Sequence, residues 1–332
     1  MKLRTLMIVT VLLAVASAPA FAGSGTKVGT AGGQELLIPI GSRGTAMGGA
    51  VVASPTGLEA IYWNPAGLAT LEGTEAMFSH QPYFADIDIN FFAIATAIEG
   101  FGTLGLSAKV VNIGDIEQTT YQAIEGNGKI FSPSLSVIGV TYARALTANV
   151  GLGINGYMIN ENVFEVSASG LAFDFGVTFD PKWRGLQMGI AIKNYGPDMT
   201  FSGPGFDRSY EAAGRRDLAG KAVGFSLPSH FNIGLSYPLY SQERSSLLVS
   251  GNFRSNNFSE DHWQGGAEYS YDNKYFLRAG YNYSQQTDYI YGFSAGGGLT
   301  VPLGTTKLTF EYAWTQTDVF SDNKYLTLRF NF

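Results

Sequence analysis

The sequence predicts an all-β protein: a transmembrane antiparallel up-and-down β-barrel of about 14 strands, with an N-terminal plug in its lumen. Three observations indicate this fold class. Apolar and polar side chains alternate in successive segments from residue 74 to residue 332. Charged residues make up only 14% of the chain, while there are 42 glycines and 14% aromatic residues. Short and long connections take turns between the alternating segments, as they do in outer-membrane barrels.

Residues 1–22 have the features of a secretory signal peptide. Lys2 and Arg4 give a positive start, an apolar run covers residues 6–15, and Ala20-Phe21-Ala22 supplies a small-x-small cleavage site. The run is shorter than the roughly 20 apolar residues of a membrane helix, and a buried N-terminal helix is the structural alternative. We expect cleavage near Ala22 and export of the rest.

Composition limits what the exported part can do. There is no cysteine, so no disulfide can hold the fold together. The net charge of −6 is spread along the chain and argues against a nucleic-acid partner. We therefore expect a plug segment at residues 23–73, followed by a barrel at residues 74–332 that has outer-membrane lipid as its surroundings.

A period of two residues is the pleat of a β-strand, and it is clearest near residue 175. There Phe173 and Phe175 lie on one face, with Asp174 and Gly176 on the other. Three segments, at 74–81, 86–98 and 131–145, alternate poorly because an apolar side chain falls on the polar face. The predicted strands lie near residues 74–81, 86–98, 101–113, 131–145, 148–160, 168–180, 184–195, 228–238, 245–255, 260–271, 274–284, 289–302, 305–315 and 320–332.

The connections favour a membrane barrel over a soluble sandwich or a lipocalin-like barrel, which alternation alone does not exclude. The longer connections, above all residues 114–130 and 196–227, are assigned to the outer side, and the short ones to the periplasmic side. The polar faces hold mainly Gly, Ser, Thr and Asn rather than the Lys and Glu of a water-exposed surface. The chain therefore predicts an even number of strands facing lipid.

A ring of this size encloses a lumen that its own side chains cannot fill, so a filling segment is expected. The stretch ahead of the first strand is rich in small residues, and Gly48-Gly49 permits close backbone approach. Arg43 in a polar lumen should pair with an inward carboxylate, such as Asp174, Glu268 or Glu311.

The same stretch resembles the PorV/PorQ family of outer-membrane barrels. That family has a Gly-Ala-Arg-x-x-x-Met-Gly-Gly-Ala run before Tyr-Trp-Asn-Pro-Ala-Gly-Leu. The core of the second motif is shared with the FadL fatty-acid transporters, whose N-terminal segment forms a luminal hatch. Where the family usually has an acidic Ala-Asp-Asp, this chain has Ser-Pro-Thr-Gly at residues 54–57. The matching plug residues are Arg43, Met47, Gly48, Gly49, Tyr62, Trp63, Asn64, Pro65, Ala66 and Gly67.

The resemblance implies a protein-binding barrel linked to type IX-like secretion, with secretion machinery or secreted cargo as partners. Residues 196–227 would contact those partners. The alternative is a FadL-like transporter of long-chain fatty acids or other hydrophobic compounds. It predicts an apolar pocket between plug and outer loops, built by Phe201 and Phe206 with Pro197 and Pro204, and a lateral gap where a strand kinks.

Two motif matches carry no chemistry. The glycine pattern at residues 151–156 lacks the following helix that a dinucleotide needs, and residues 292–296 lack the strand-turn-helix of a nucleophile elbow. His80, His230 and His262 stand alone on different predicted strands, without a metal-ligand spacing. We therefore expect no enzyme, no metal site and no cofactor.

Overall fold

A computed structural model describes residues 31–84, 87–210, 216–286, 289–318 and 320–332. The predicted signal peptide and residues 23–30 of the predicted plug lie outside these ranges. The strands are β1 Thr74–Pro82, β2 Asp88–Ile98, β3 Gly102–Asn112, β4 Ile116–Glu117, β5 Ile130–Phe131, β6 Ser134–Thr147, β7 Val150–Val163, β8 Val166–Phe179, β9 Gln187–Tyr195, β10 Asp207–Tyr210, β11 Arg216–Ala219, β12 His230–Ser241, β13 Ser245–Asn256, β14 His262–Tyr271, β15 Tyr275–Ser284, β16 Tyr291–Leu303, β17 Thr306–Thr317 and β18 Asn323–Asn331.

Fourteen strands of the described chain form one closed antiparallel barrel, which confirms the predicted fold class. Neighbours along the chain pair with each other, and the ring closes between β1 and β18, where Glu75 lies opposite Asn331. The four remaining strands form two small hairpins within the longest connections, β4 with β5 and β10 with β11. Closure leaves no open edge, which a barrel in lipid requires because every backbone amide there must be paired.

The side chains on the outside of the barrel are large and apolar. In β8, Phe173 and Phe175 are 39% and 43% exposed, whereas Asp174 between them is 1% exposed. Rows of this kind, with Tyr and Trp among them, face outward on strands around the ring. An apolar exterior of this extent would be costly in water, so the barrel is of the transmembrane type.

The poor alternation in β2 has a physical explanation. Phe92 and Ile94 point outward to lipid, whereas Ile89 and Phe91 point inward and are buried. Phe91 packs in a core cluster with Ile61 of the chain that lies inside the barrel. Both faces of the strand are therefore apolar, because one contacts lipid and the other contacts protein.

Both ends of the strand series lie at the same end of the barrel. Phe332 N donates to Thr74 O at 2.8 Å, and the short connections, such as residues 272–274, are at this end. Most of the longer connections are at the other end. Two connections differ: residues 164–165 join β7 to β8 there in a tight turn, with Phe164 at a φ of 53°, and the longer residues 180–186 join β8 to β9 at the short-connection end.

Residues 31–73, called the N-terminal segment below, lie inside the ring. They contain two short α-helices, α1 (Ser42–Ala46) and α2 (Ala60–Trp63). The segment begins beside the long connections, where Ala31 bridges to Ser226, and ends at β1 beside the short ones. Its 3₁₀ turns are Gln34–Leu37, Gly57–Glu59 and Pro65–Thr70; one more, Pro204–Phe206, lies in a long connection. Among the described residues no helix is long and apolar enough to cross a membrane.

Candidate functional site

Arg43 is held inside the barrel by a carboxylate on its wall. The side chain is buried in α1, and its Nε lies 2.9 Å from Glu268 Oε2 while Nη2 lies 3.1 Å from Glu268 Oε1. Its Nη1 donates to Ser54 O at 2.8 Å. This two-pronged contact confirms the expected pairing and identifies Glu268 as the partner.

The Arg43 pair is the first link of a chain of charges across the inner wall. Glu268 Oε2 also accepts from Arg278 Nε at 2.6 Å. Arg278 Nη1 in turn donates to Glu311 Oε1 at 2.8 Å, and Arg329 Nε lies 3.1 Å from Glu311 Oε2. Buried charges are tolerated only when paired in this way, so the loss of one member leaves its neighbours uncompensated.

Glu59 anchors the start of α1 from within the N-terminal segment. Its carboxylate accepts from Arg43 N at 3.0 Å and from Gly44 N at 2.8 Å. Burial, together with the nearby Glu311 carboxylate, raises the pKa of Glu59 to about 7. The docking of α1 therefore includes a group that titrates near neutral pH.

Met47, Gly48 and Gly49 pass so close to the wall that backbone meets backbone. Gly48 has a φ of 64° and Gly49 a φ of 85°, and a Cβ on Gly48 would lie 2.7 Å from Tyr281 N. The wall is glycine there too, since a Cβ on Gly280 would lie 2.1 Å from the carbonyl carbon of Met47. The expected close approach is confirmed, with glycine on both sides of the contact.

Asn64 ties the second motif to the wall and to the rest of the segment. Its Nδ2 donates to Val52 O at 2.8 Å and to Val177 O at 3.1 Å, and its Oδ1 accepts from Ala66 N at 3.2 Å. All three side-chain bonds are made in a fully buried position. The Asn64 side-chain amide therefore forms hydrogen bonds both as a donor and as an acceptor.

Pro65 packs on a wall that lacks side chains. A Cβ on Gly153 would lie 2.2 Å from the carbonyl carbon of Pro65, and one on Gly176 would lie 2.0 Å from the Asn64 side-chain oxygen. Gly67 faces inward to the segment, where its Cβ would lie 2.6 Å from Pro55. The glycine pattern of residues 151–156 therefore has a packing role on β7.

Tyr62 and Trp63 line a large cavity inside the barrel. Their rings meet edge to face at 5.0 Å, and the Tyr62 hydroxyl donates to Leu37 O at 2.9 Å. Trp63 Nε1 is buried and has no hydrogen-bond partner among the described residues. Lys193 Nζ lies 4.9 Å from the centre of the Tyr62 ring, on the side of a smaller cavity of about 50 Å³.

The larger cavity has a volume of about 630 Å³ and lies at the long-connection end. The N-terminal segment forms one wall and β13 to β18 with their connections form the other. Both walls carry Tyr, Trp or Phe rings, which lie among amides, hydroxyls and small side chains. The lining residues are Ala31, Gln34, Leu37, Pro39, Thr45, Gly48, Gly49, Tyr62, Trp63, Arg254, Asn256, Phe258, Ser259, His262, Gln264, Asn282, Gln286, Tyr289, Ile290, Tyr291, Gly292, Ser294, Thr315 and Tyr325.

The aromatic wall continues to the mouth of the barrel. The rings of Tyr289 and His262 are 4.9 Å apart, and the hydroxyls of Tyr291 and Tyr83 are 2.5 Å apart. Burial raises the pKa of Tyr289 above its usual value, so its hydroxyl stays neutral and polar. The cavity can therefore surround an apolar or aromatic molecule while offering hydrogen bonds at several points.

The pocket predicted from Phe201 and its neighbours is not this cavity. Phe201 stacks near Phe225, at 5.5 Å, and both pack on Met199 and Leu227 in a core cluster beside β7 and β8. Sequence reasoning missed the true lining because it comes from strands far apart in the chain. The signal that could have found it is the pair Tyr289 and Tyr291, where the connection from β15 enters β16.

The three histidines lie apart from one another. His80 Nδ1 is 2.9 Å from Asn90 Oδ1, His230 is buried near Pro228 O, and His262 lines the cavity. Within the described ranges no group of three or more His, Cys, Asp or Glu side chains could hold a metal ion.

Comparison with known proteins finds relatives in structure alone. No protein-family model matches the chain, and no curated protein matches it in sequence. The fold is similar to the CymD monoaromatic hydrocarbon channel, at a TM-score of 0.59 and 15% identity over 89% of this chain and 98% of that one.

Two further solved structures have the same arrangement. The Pseudomonas putida toluene transporter TodX matches with a TM-score of 0.58 and 13% identity, over 87% of this chain and 96% of its own. A Pseudomonas aeruginosa FadL homologue matches with a TM-score of 0.54 and 12% identity, over 88% and 98%. The chain therefore has the FadL-like barrel fold.

Proposed function

We propose that this chain is an outer-membrane channel for small hydrophobic compounds, closed by its N-terminal segment, which acts as a plug. The observation that carries the proposal is the cavity of about 630 Å³, lined in part by aromatic rings, between that segment and the long connections. Ligand sites are concave and mainly apolar, with a few polar groups that fix orientation. The barrels of similar fold described as hydrocarbon channels support the same proposal.

The plug role is supported by the way the segment crosses the lumen. Arg43 and Asn64 bind separate parts of the wall, Glu268 on β14 and Val177 on β8, with β13, β12 and β9 between them. A segment fixed at both places fills a ring that would otherwise be open to water. The domain boundary proposed for it is residue 73, the last residue before β1.

The proposal places an exit to the side between β8 and β9, where the FadL-like interpretation expects a gap. The pairing register shifts between Phe173 and Phe175, and Asn194 has a φ of 56° there. Beyond this bulge, Ser167 of β8 pairs with Ser202 of the long connection instead of with a barrel strand. Movement of that connection would uncover the edge of β8.

The channel is tested by uptake of naphthalene into cells that lack their own hydrocarbon channels. Expression of the protein should speed uptake, and Thr315→Trp, which fills the cavity, should abolish the gain. Thr305→Trp is the control, since Thr305 lies at the short-connection end. Equal uptake with and without the protein would contradict the proposal.

The secretion role implied by the PorV/PorQ resemblance stays a prediction, since no comparison supports it. It requires secreted cargo to disappear from the cell surface when the gene is deleted. A deletion strain with normal surface cargo and slower naphthalene uptake would favour the channel.

A further inference from the structure

Among the described residues that line the large cavity, one carries a formal charge. Among its described lining residues Arg254 is the sole Arg or Lys, and none is Asp or Glu. His262 is the other titratable nitrogen side chain, and it lies across from Arg254 in the β13–β14 pairing. A cation without a carboxylate among the described residues stands out in this barrel, because Arg43, Arg278 and Arg329 inside the ring each pair with at least one glutamate.

The guanidinium of Arg254 is held in place but not neutralised. Its Nε donates to Asn232 Oδ1 at 3.1 Å, and Asn232 is itself buried. Neither Nη atom has a hydrogen bond or an ion pair with a described residue. Four N–H groups on one planar fork therefore remain available, in the geometry that matches a carboxylate.

The side chains around Arg254 indicate what the rest of a carboxylate ligand would look like. Tyr62, Trp63 and Tyr289 line the cavity and offer ring faces and edges. Asn256 and Gln264 offer side-chain amides on the two strands beside Arg254. The aromatic side chains of the cavity would pack against a flat ring in the ligand. The single cation, Arg254, would balance a single negative charge on it.

We propose that the cavity binds compact aromatic carboxylates, with the carboxylate on the Nη edge of Arg254 and the ring among Tyr62, Trp63 and Tyr289. This inference rests on the proposed channel function and names its substrate class. A channel with this site would differ from a channel for neutral hydrocarbons in one feature, because its ligand must carry a negative charge.

The test compares two ligands of the same shape, naphthalene-2-carboxylate and naphthalene-2-carboxamide, by calorimetry with the purified barrel in detergent. The carboxylate should bind about tenfold or more tightly than the amide, because its hydrogen bonds are charge-assisted. Arg254→Gln should remove that preference, because it weakens binding of the carboxylate far more than binding of the amide. Arg254→Lys should keep part of it, since the charge stays but the fork is lost.

Arg244→Gln is the matched control. Arg244 lies at the opposite end of the β12–β13 hairpin, paired with Asp272 at the surface. Equal affinity of the wild type for the two ligands, or an equal loss of both in R254Q, would overturn the inference while leaving the channel intact. Binding of neither ligand would count against the channel as well, and preference for a long-chain fatty acid over the aromatic carboxylate would refute the ring assignment.

Discussion

Replacing Arg43 with Gln should loosen the N-terminal segment without unfolding the barrel. Arg43 makes three hydrogen bonds at 2.8 to 3.1 Å, two of them to Glu268. The strands of the ring do not depend on this residue for their own pairing. The change therefore acts on the docking of α1.

The size of the effect follows from burial. Breaking a buried ion pair by removing one partner costs about 3–5 kcal/mol. Glu268 keeps Arg278 at 2.6 Å, so we take the lower end, about 3 kcal/mol. Since 1.4 kcal/mol is a factor of ten, the undocked fraction of the segment should rise about a hundredfold.

Amide hydrogen exchange of the purified barrel measures this directly. Peptides covering residues 41–54 should exchange about a hundredfold faster in R43Q, while strand peptides keep their protection. Arg244→Gln is the control, because its ion pair with Asp272 is exposed and contributes little. If R43Q exchanges at the control rate, the ion pair does not hold the segment and the reasoning fails.

Two further variants probe the same docking. Gly153→Ala should make the segment easier to cleave by protease, because the added Cβ would lie 2.2 Å from the Pro65 carbonyl carbon. Gly265→Ala is the control and should leave cleavage unchanged, because the space around the added Cβ is open. Equal cleavage of the two would refute the close contact. Docking should also weaken as pH rises from 5 to 8. In the docked segment Glu59 keeps its proton up to a pKa of about 7, whereas in the undocked segment it loses the proton at a lower pH. Protease protection measures this, and Glu59→Gln should flatten the profile; a Gln variant with the wild-type slope would assign the effect elsewhere.

Periodicity, together with the turn residues between segments, was enough to predict the fourteen barrel strands and most of their faces, but not the hairpins β4–β5 and β10–β11. Phe173 and Asp174 lie on the faces that alternation assigned to them. It was ambiguous at β2, since Phe91 faces the N-terminal segment and Phe92 faces lipid, and both surroundings select apolar side chains. A pattern of two residues identifies faces, but it does not say what covers them.

The site was harder to predict because it depends on register between distant strands. Arg43 had three inward carboxylates to choose from, and the position of α1 along the lumen selects Glu268. The inward glycines of β7 and β8 were visible in the sequence, yet their contact with Asn64 and Pro65 is a property of the assembled ring. Glycine repeated at inward positions is a signal of close backbone approach that future sequence analyses can use.

The seam between β1 and β18 limits the order in which the molecule can be built. The N-terminal segment is enclosed by the ring, and β1, which continues from it, pairs with the last strand of the chain. If the ring closed first, residues 31–73 would have to enter the closed barrel between paired strands or through its narrow lumen. The segment therefore has to be in position while the seam is still open, and the final pairing of Glu75 with Asn331 locks it in.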